Sequence, residues 1–175
     1  MYRRKGEEIC GVLNDFDLAT IKGDSSPSSK QRTGTKPYMA IQLLREEKGE
    51  KGDPVVHSYR HDLESLFYVI LVLTSCFEDG EEISDPPLQE WFSLDSRKLS
   101  DAKNTLITRF DLPTLRPPYA GFIRWLKPMC AAFQDAIVWA TRNTPDSETL
   151  GDNVTFAKFG DIFDNDVTSS EVATM

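Results

Sequence analysis

Two carboxylates, Asp15 and Asp17, lie in the stretch Asn14-Asp15-Phe16-Asp17-Leu18-Ala19, directly after the short apolar run Ile9–Leu13 that predicts a buried strand. Clustered hard oxygens at the end of a strand suit Mg²⁺, and a magnesium ion there could hold phosphate groups. The same residues also fit an Asx-type turn anchored by a buried Phe16. From these residues alone, both interpretations stay open.

A long polar stretch, residues 20–36, follows these carboxylates and is rich in Ser, Thr and Gly, which predicts a flexible loop. Loops of this length inside a domain are usually functional or disordered. Residues 37–44 then turn apolar and are predicted to form a helix that docks on the core. The charged residues 45–53 predict an exposed linker.

The apolar run from Leu63 to Phe77 predicts the element on which the rest of the chain is arranged. Its apolar side chains fall on every face, which is typical of a buried helix. The β-branched residues 69–72 would also fit a buried strand, but the length of the run and the acidic residues Asp62 and Glu64 at its start favour a helix over 61–77. We expect Leu66, Phe67, Ile70 and Leu71 to be nearly inaccessible to solvent. Asp62 alone would be explained as a helix cap.

The second half of the chain predicts further helices. An acidic loop, residues 78–85, precedes a short predicted helix at Leu88–Phe92 and an amphipathic helix at Ser100–Arg109. A longer pattern over Tyr119–Arg142 predicts a helix that Pro128 should kink or split. From Asn143 the chain is polar and acidic, with one short helix predicted over 155–163.

Composition excludes several classes of partner. A formal charge of −8 and a pI of about 4.8 argue against binding to nucleic acid or to an anionic membrane surface. The apolar run of the central helix is too short to span a bilayer, which needs about 20 apolar residues. Three widely spaced cysteines predict reduced thiols, and no apolar stretch follows the basic start as in a signal peptide. We therefore expect an intracellular protein, cytoplasmic or nuclear.

Three motifs together resemble the fungal-type protein kinase family. Residues 14–19 resemble the metal-binding Asp-Phe-Gly motif, residues 32–40 (Arg-Thr-Gly-Thr-Lys-Pro-Tyr-Met-Ala) resemble the end of an activation segment, and residues 57–65 (His-Ser-Tyr-Arg-His-Asp-Leu-Glu-Ser) resemble the start of kinase helix F. Their order and spacing make the signal specific. The resemblance implies a mainly α fold, namely the C-lobe part of a kinase domain with a short β segment at the N-terminus and a central buried helix.

The resemblance also implies a domain division. Residues 1–142 would be a partial kinase domain, containing the metal-motif strand 9–19, the activation segment 20–44, helix F at 61–77 and later helices over 88–142. Residues 143–175 would be an acidic C-terminal extension. In the family, the glycine-rich loop, the catalytic lysine and the His-Arg-Asp loop precede the part that resembles this chain.

Roles for individual residues follow from the resemblance only. Asp15 would bind the Mg²⁺ that bridges ATP phosphates, Thr35 would be the substrate-side threonine, and Gly34 and Asp62 would have structural roles. Two departures are visible. Asp17 replaces the usual glycine, and Gln42, after Ile41, stands where kinases carry the glutamate of Ala-Pro-Glu. A neutral amide cannot make the buried ion pair expected there.

Two functions are therefore expected from the sequence. The first is the C-terminal part of a serine/threonine kinase, using Mg²⁺ and ATP in the full-length family but binding neither tightly, without a catalytic residue and inactive by itself. The second is a non-catalytic, mostly helical interaction module or pseudokinase remnant. A protein substrate or a regulatory protein would be the partner in either case, with no nucleic acid and no membrane.

Overall fold

The computed structural model describes the backbone of residues 2–5 and 8–11, and backbone and side chains of residues 35–45, 57–143, 146 and 148–164. The chain divides into two units, Met1–Thr33 and Gly34–Met175. Asp15, Gly34 and residues 20–34 of the predicted loop over 20–36 lie outside the described residues. The mainly α fold class is confirmed, since helices make up most of the described chain.

In the first unit, strands β1 (Tyr2–Lys5) and β2 (Glu8–Gly11) form an antiparallel hairpin. The register pairs Tyr2 with Gly11 and Lys5 with Glu8. Strand β2 overlaps the predicted strand at Ile9–Leu13. Strand β1 is not predicted by the sequence pattern, because Tyr-Arg-Arg-Lys has no apolar alternation.

The second unit is built on helix α2 (Tyr59–Cys76), which covers nearly all of the predicted helix 61–77. Before it come a 3-10 turn (Lys36–Tyr38) and helix α1 (Ile41–Arg45). After it come strands β3 (Phe77–Glu78) and β4 (Glu81–Glu82), a 3-10 turn (Gln89–Phe92), α3 (Ser96–Arg109), a 3-10 helix (Pro117–Phe122), α4 (Ile123–Arg142) and α5 (Phe156–Asp164). Helix α5 overlaps the predicted 155–163 and packs on α4. The division at residue 142 stays a prediction.

The core lies where α2 meets α4. Phe67 and Leu71 of α2 are completely buried, as expected. Phe67 contacts Phe133 of α4 with ring centroids 5.5 Å apart, and Phe133 contacts Phe159 of α5 at 5.4 Å. These contacts join three helices through one line of aromatic rings. Free, buried Cys76 and Cys130 lie in the same core, which agrees with reduced thiols.

One expectation about α2 is wrong. Leu66 is 40% exposed and Ile70 is only partly buried, and Leu73 is 49% exposed. Residues 66 and 73 are seven apart and share a face, which Asp62 also occupies. The apolar run surrounds the helix, but in this chain the neighbouring elements cover only part of its circumference.

Two local features of the second half also differ from expectation. The predicted acidic loop contains the β3–β4 hairpin, whose turn places Asp79 and Gly80 at φ 52° and 84°. Asp-Gly is a preferred pair for such two-residue hairpin turns, because both positions need positive φ. Of the two outcomes predicted at Pro128, a kink or a split, the split does not occur, because α4 runs from Ile123 to Arg142 with Pro128 inside it.

Candidate functional site

The segment that resembles the end of an activation segment begins with a 3-10 turn. Thr35 is exposed and extended, and its carbonyl accepts a hydrogen bond from the Tyr38 amide at 2.9 Å. Pro37 occupies the start of the turn, where its fixed φ is favourable and its missing N–H costs nothing. The turn packs against α2, so the exposed Thr35 directly precedes a turn that this helix supports.

The carboxylate of Glu64, a residue of α2, attaches the segment Thr35–Arg45 to that helix. Glu64 is buried, and its Oε1 atom accepts hydrogen bonds from the Ile41 amide and the Tyr68 hydroxyl, both at 2.8 Å. Ile41 is the first residue of α1, so its amide has no partner within that helix. Burial raises the pKa of Glu64, while these two hydrogen bonds and the charge of Lys103 lower it.

Lys103 attaches the same segment from helix α3. Its side chain is completely buried, and Nζ donates a hydrogen bond to the Met39 carbonyl at 2.6 Å. The ammonium group also lies 3.7 Å from the centroid of the Tyr68 ring, within range of a cation–π interaction. Burial lowers the pKa of Lys103 to about 7, against the attraction of Glu64.

Gln42 docks on α2 through polar contacts despite its lack of charge. The Ser58 amide donates to His61 Nδ1 at 3.0 Å, so the proton of a neutral His61 ring is on Nε2, which lies 3.2 Å from Gln42 Oε1. Arg60 Nη2 donates to the same oxygen. Burial lowers the pKa of Arg60, partly offset by the charges of Glu64 and Asp146. The absent glutamate therefore does not prevent docking of the segment.

Asp62 lies in the first turn of α2 with its side chain 67% exposed, and its Oδ1 is 3.3 Å from His57 Nε2. The N-cap position belongs to Ser58, so Asp62 is not the cap that its position alone predicts. Among the described residues, no three His, Cys, Asp or Glu side chains form a group that could hold a metal ion.

Residues 2–74 match the family model of fungal protein kinases. The match contains all three motifs and most of α2, so the predicted resemblance to fungal protein kinases is confirmed over this range. No curated protein and no solved structure matches the chain. In the described part of the chain, none of the helices combines the length and apolarity needed to cross a membrane.

Sequence reasoning missed Glu64 and Lys103 as site residues. A signal for Lys103 existed, because residue 103 lies four positions after Leu99 and three before Leu106, on the apolar face of α3. A lysine at a core position of an amphipathic helix indicates a buried polar contact. An acidic residue at position 64 is already explained by the dipole of α2, and no local sequence pattern shows that its carboxylate accepts a hydrogen bond from the Ile41 amide.

Proposed function

We propose that this chain provides the substrate-side, C-terminal part of a fungal-type serine/threonine protein kinase domain. The observation that carries the proposal is the docking of Thr35–Arg45 on α2 and α3 by Glu64, Lys103 and Gln42. The segment lies inside the range that matches fungal protein kinases. A substrate-side loop needs this kind of support, because phosphoryl transfer depends on positioning the acceptor.

In this proposal, Asp15 holds Mg²⁺ and Thr35 faces the acceptor protein, while Gly34 and Asp62 have structural roles. Bound Mg²⁺ and ATP would supply the transferable phosphoryl group and neutralise its charge. Asp15 and Gly34 lie outside the described residues, so their roles depend on the motifs alone. The role of Thr35 is supported by its exposure and by its position directly before the turn Lys36–Tyr38, which contacts α2.

We also propose that these 175 residues do not transfer phosphate by themselves. Their sequence contains neither a His-Arg-Asp loop nor a Gly-x-Gly-x-x-Gly loop. Phosphoryl transfer needs the base, the lysine, the metals and the phosphate-covering loop together. One carboxylate holds Mg²⁺ weakly, because the ion keeps most of its waters and binds largely through substrate phosphates.

A non-catalytic interaction module is the second candidate, favoured by the exposed Leu66 and Leu73 on one face of α2. Single exposed apolar residues are ordinary, but two on one helix face favour a contact with another protein. This candidate predicts that the chain associates as its concentration rises, as measured by sedimentation velocity. Leu73→Glu should reduce that association, whereas Val138→Glu, at an exposed position on α4, should not. Equal behaviour of both variants would remove this candidate.

Incorporation of radiolabelled phosphate tests the first proposal. The purified chain is incubated with labelled ATP, Mg²⁺ or Mn²⁺ and a general acceptor protein, beside Asp15→Ala. We expect wild type and Asp15→Ala to be equal to the background without protein. Turnover above background that disappears in Asp15→Ala would contradict the proposal and require a base elsewhere in the chain.

A further inference from the structure

Two buried charged side chains of the second unit end on backbone atoms of Met39 and Ile41, which are two residues apart. Lys103 Nζ reaches the Met39 carbonyl across 64 residues of sequence, and Glu64 Oε1 reaches the Ile41 amide across 23. Neither contact needs a particular side chain at positions 39 or 41. Both therefore act on the path of the backbone.

Tyr68 joins the two charges. Its hydroxyl donates to Glu64 at 2.8 Å, and its ring face lies 3.7 Å from Lys103 Nζ. The Trp91 ring also lies near the ammonium group, with its centroid 5.3 Å from Nζ. The titratable groups that face Lys103 are thus Glu64 and Tyr68, both on α2, while Arg60 acts on Glu64. Charged groups buried in this way are costly unless each is satisfied by partners.

The position of these contacts connects them to the turn that follows the exposed Thr35. Met39 is the residue that ends the 3-10 turn Lys36–Tyr38, and its amide donates back to the Lys36 carbonyl. Fixing the Met39 carbonyl therefore fixes the peptide that joins Met39 to Ala40, directly after the turn. Pro37 further restricts the backbone between Thr35 and Met39, because its ring fixes φ.

We propose that Lys103 on α3 and Glu64 on α2 are positioning residues that set the backbone path of the substrate-side turn Lys36–Tyr38. In this chain, these two side chains take the role that a charged side chain at position 42 would otherwise have. What the turn presents rests on the proposed kinase function. The positioning itself does not, since it concerns only the chain's own backbone.

Nuclear magnetic resonance of the full chain tests the positioning. The variants are Lys103→Met, which keeps an unbranched apolar stem, and Glu64→Gln, which keeps an acceptor but removes the charge. Lys98→Met is the matched control, because Lys98 is an exposed lysine on the same helix. The first readout is amide exchange at Ile41 and Leu44 relative to Met129 in α4. The second is the carbonyl carbon shift of Met39 as a function of pH.

In Lys103→Met we expect exchange at Ile41 and Leu44 to rise about tenfold relative to Met129, because the Met39 carbonyl loses its donor. In wild type the Met39 carbonyl should titrate together with Lys103. Glu64→Gln should move that titration to lower pH, since the attraction of Glu64 keeps Lys103 protonated. Lys98→Met should change neither readout.

A Met39 carbonyl that does not follow the titration of Lys103, or a titration unmoved by Glu64→Gln, would overturn the proposal. Equal exchange changes at Ile41, Leu44 and Met129 would also overturn it, because they would indicate general destabilisation. If Lys103→Met does not fold, the wild-type and Glu64→Gln titrations still decide. Neither readout needs ATP or an acceptor, so failure here is distinguishable from failure of the proposed kinase function, which the incorporation of labelled phosphate tests.

Discussion

Helix α2 is held on two sides by different chemistry. The substrate-side segment Thr35–Arg45 is tied to the helical core by buried and partly buried polar contacts at Glu64, Lys103 and Gln42. The C-terminal helices α4 and α5 are tied to it by aromatic contacts that run from Phe67 to Phe133 and Phe159. Apolar packing contributes most of the stabilisation, whereas hydrogen bonds to backbone atoms select one path for the chain. The region that resembles a functional site is therefore the one whose attachment depends on charge.

The largest effect should come from the apolar side. Phe67→Ala removes a completely buried ring between α2 and α4 and should lower the free energy of unfolding by about 3–5 kcal/mol. Urea unfolding followed by circular dichroism measures it. Leu66→Ala, on the exposed face of the same helix, should cost far less. Equal losses in the two variants would show that this assignment of the two faces of α2 is wrong.

Gly151 offers a second way to disturb the apolar side. Its φ is +70°, and an added Cβ would overlap the ring of Trp139. Gly151→Ala should therefore cost about 1–3 kcal/mol through backbone strain and overpacking. Gly160→Ala is the control, because Gly160 lies within α5 with open space around it and alanine favours a helix. A thermal melt in which both variants behave alike would argue against a close approach of Gly151 to Trp139.

A partly exposed ion pair should have the smallest effect. Arg116 contacts Glu78 after α2, with Nε donating to Oε2 at 3.0 Å, and both side chains are about one third exposed. Glu78→Gln should cost about 0.2–1 kcal/mol, less at high salt, because water and ions screen such pairs. A loss above that found for Gly151→Ala would indicate that Arg116 and Glu78 form a buried anchor like that of Glu64 and Lys103.

The sequence predicted the apolar side of α2 much better than the polar side. The uninterrupted apolar run predicted α2. The spacing of the apolar and aromatic residues predicted α4 and a short helix over 155–163, which overlaps α5. Glu64 and Lys103 make contacts across 23 and 64 residues. No local pattern shows which distant backbone atom a buried charge will meet. The exposure of Leu66 was equally hidden, since a run that is apolar on every face does not show which face its neighbours leave uncovered.

The pH dependence of stability tests most directly whether Lys103 is buried against the substrate-side segment in the folded chain. Burial lowers the pKa of Lys103 from 10.5 to about 7, so between these values the unfolded chain binds a proton that the folded chain does not. The stability contribution of Lys103 should therefore rise with pH above about 7, by up to about 1.4 kcal/mol per pH unit. Glu64, whose pKa is raised, contributes in the opposite sense, losing stability as pH rises through its folded-state pKa.

The measurement is the free energy of unfolding in urea between about pH 6 and pH 9 for wild type, Lys103→Met and Lys98→Met. We expect the wild-type value minus the Lys103→Met value to rise above about pH 7, while the difference from Lys98→Met stays flat. A difference between wild type and Lys103→Met that is flat or falls with pH would contradict the claim that a buried, titrating Lys103 anchors the segment.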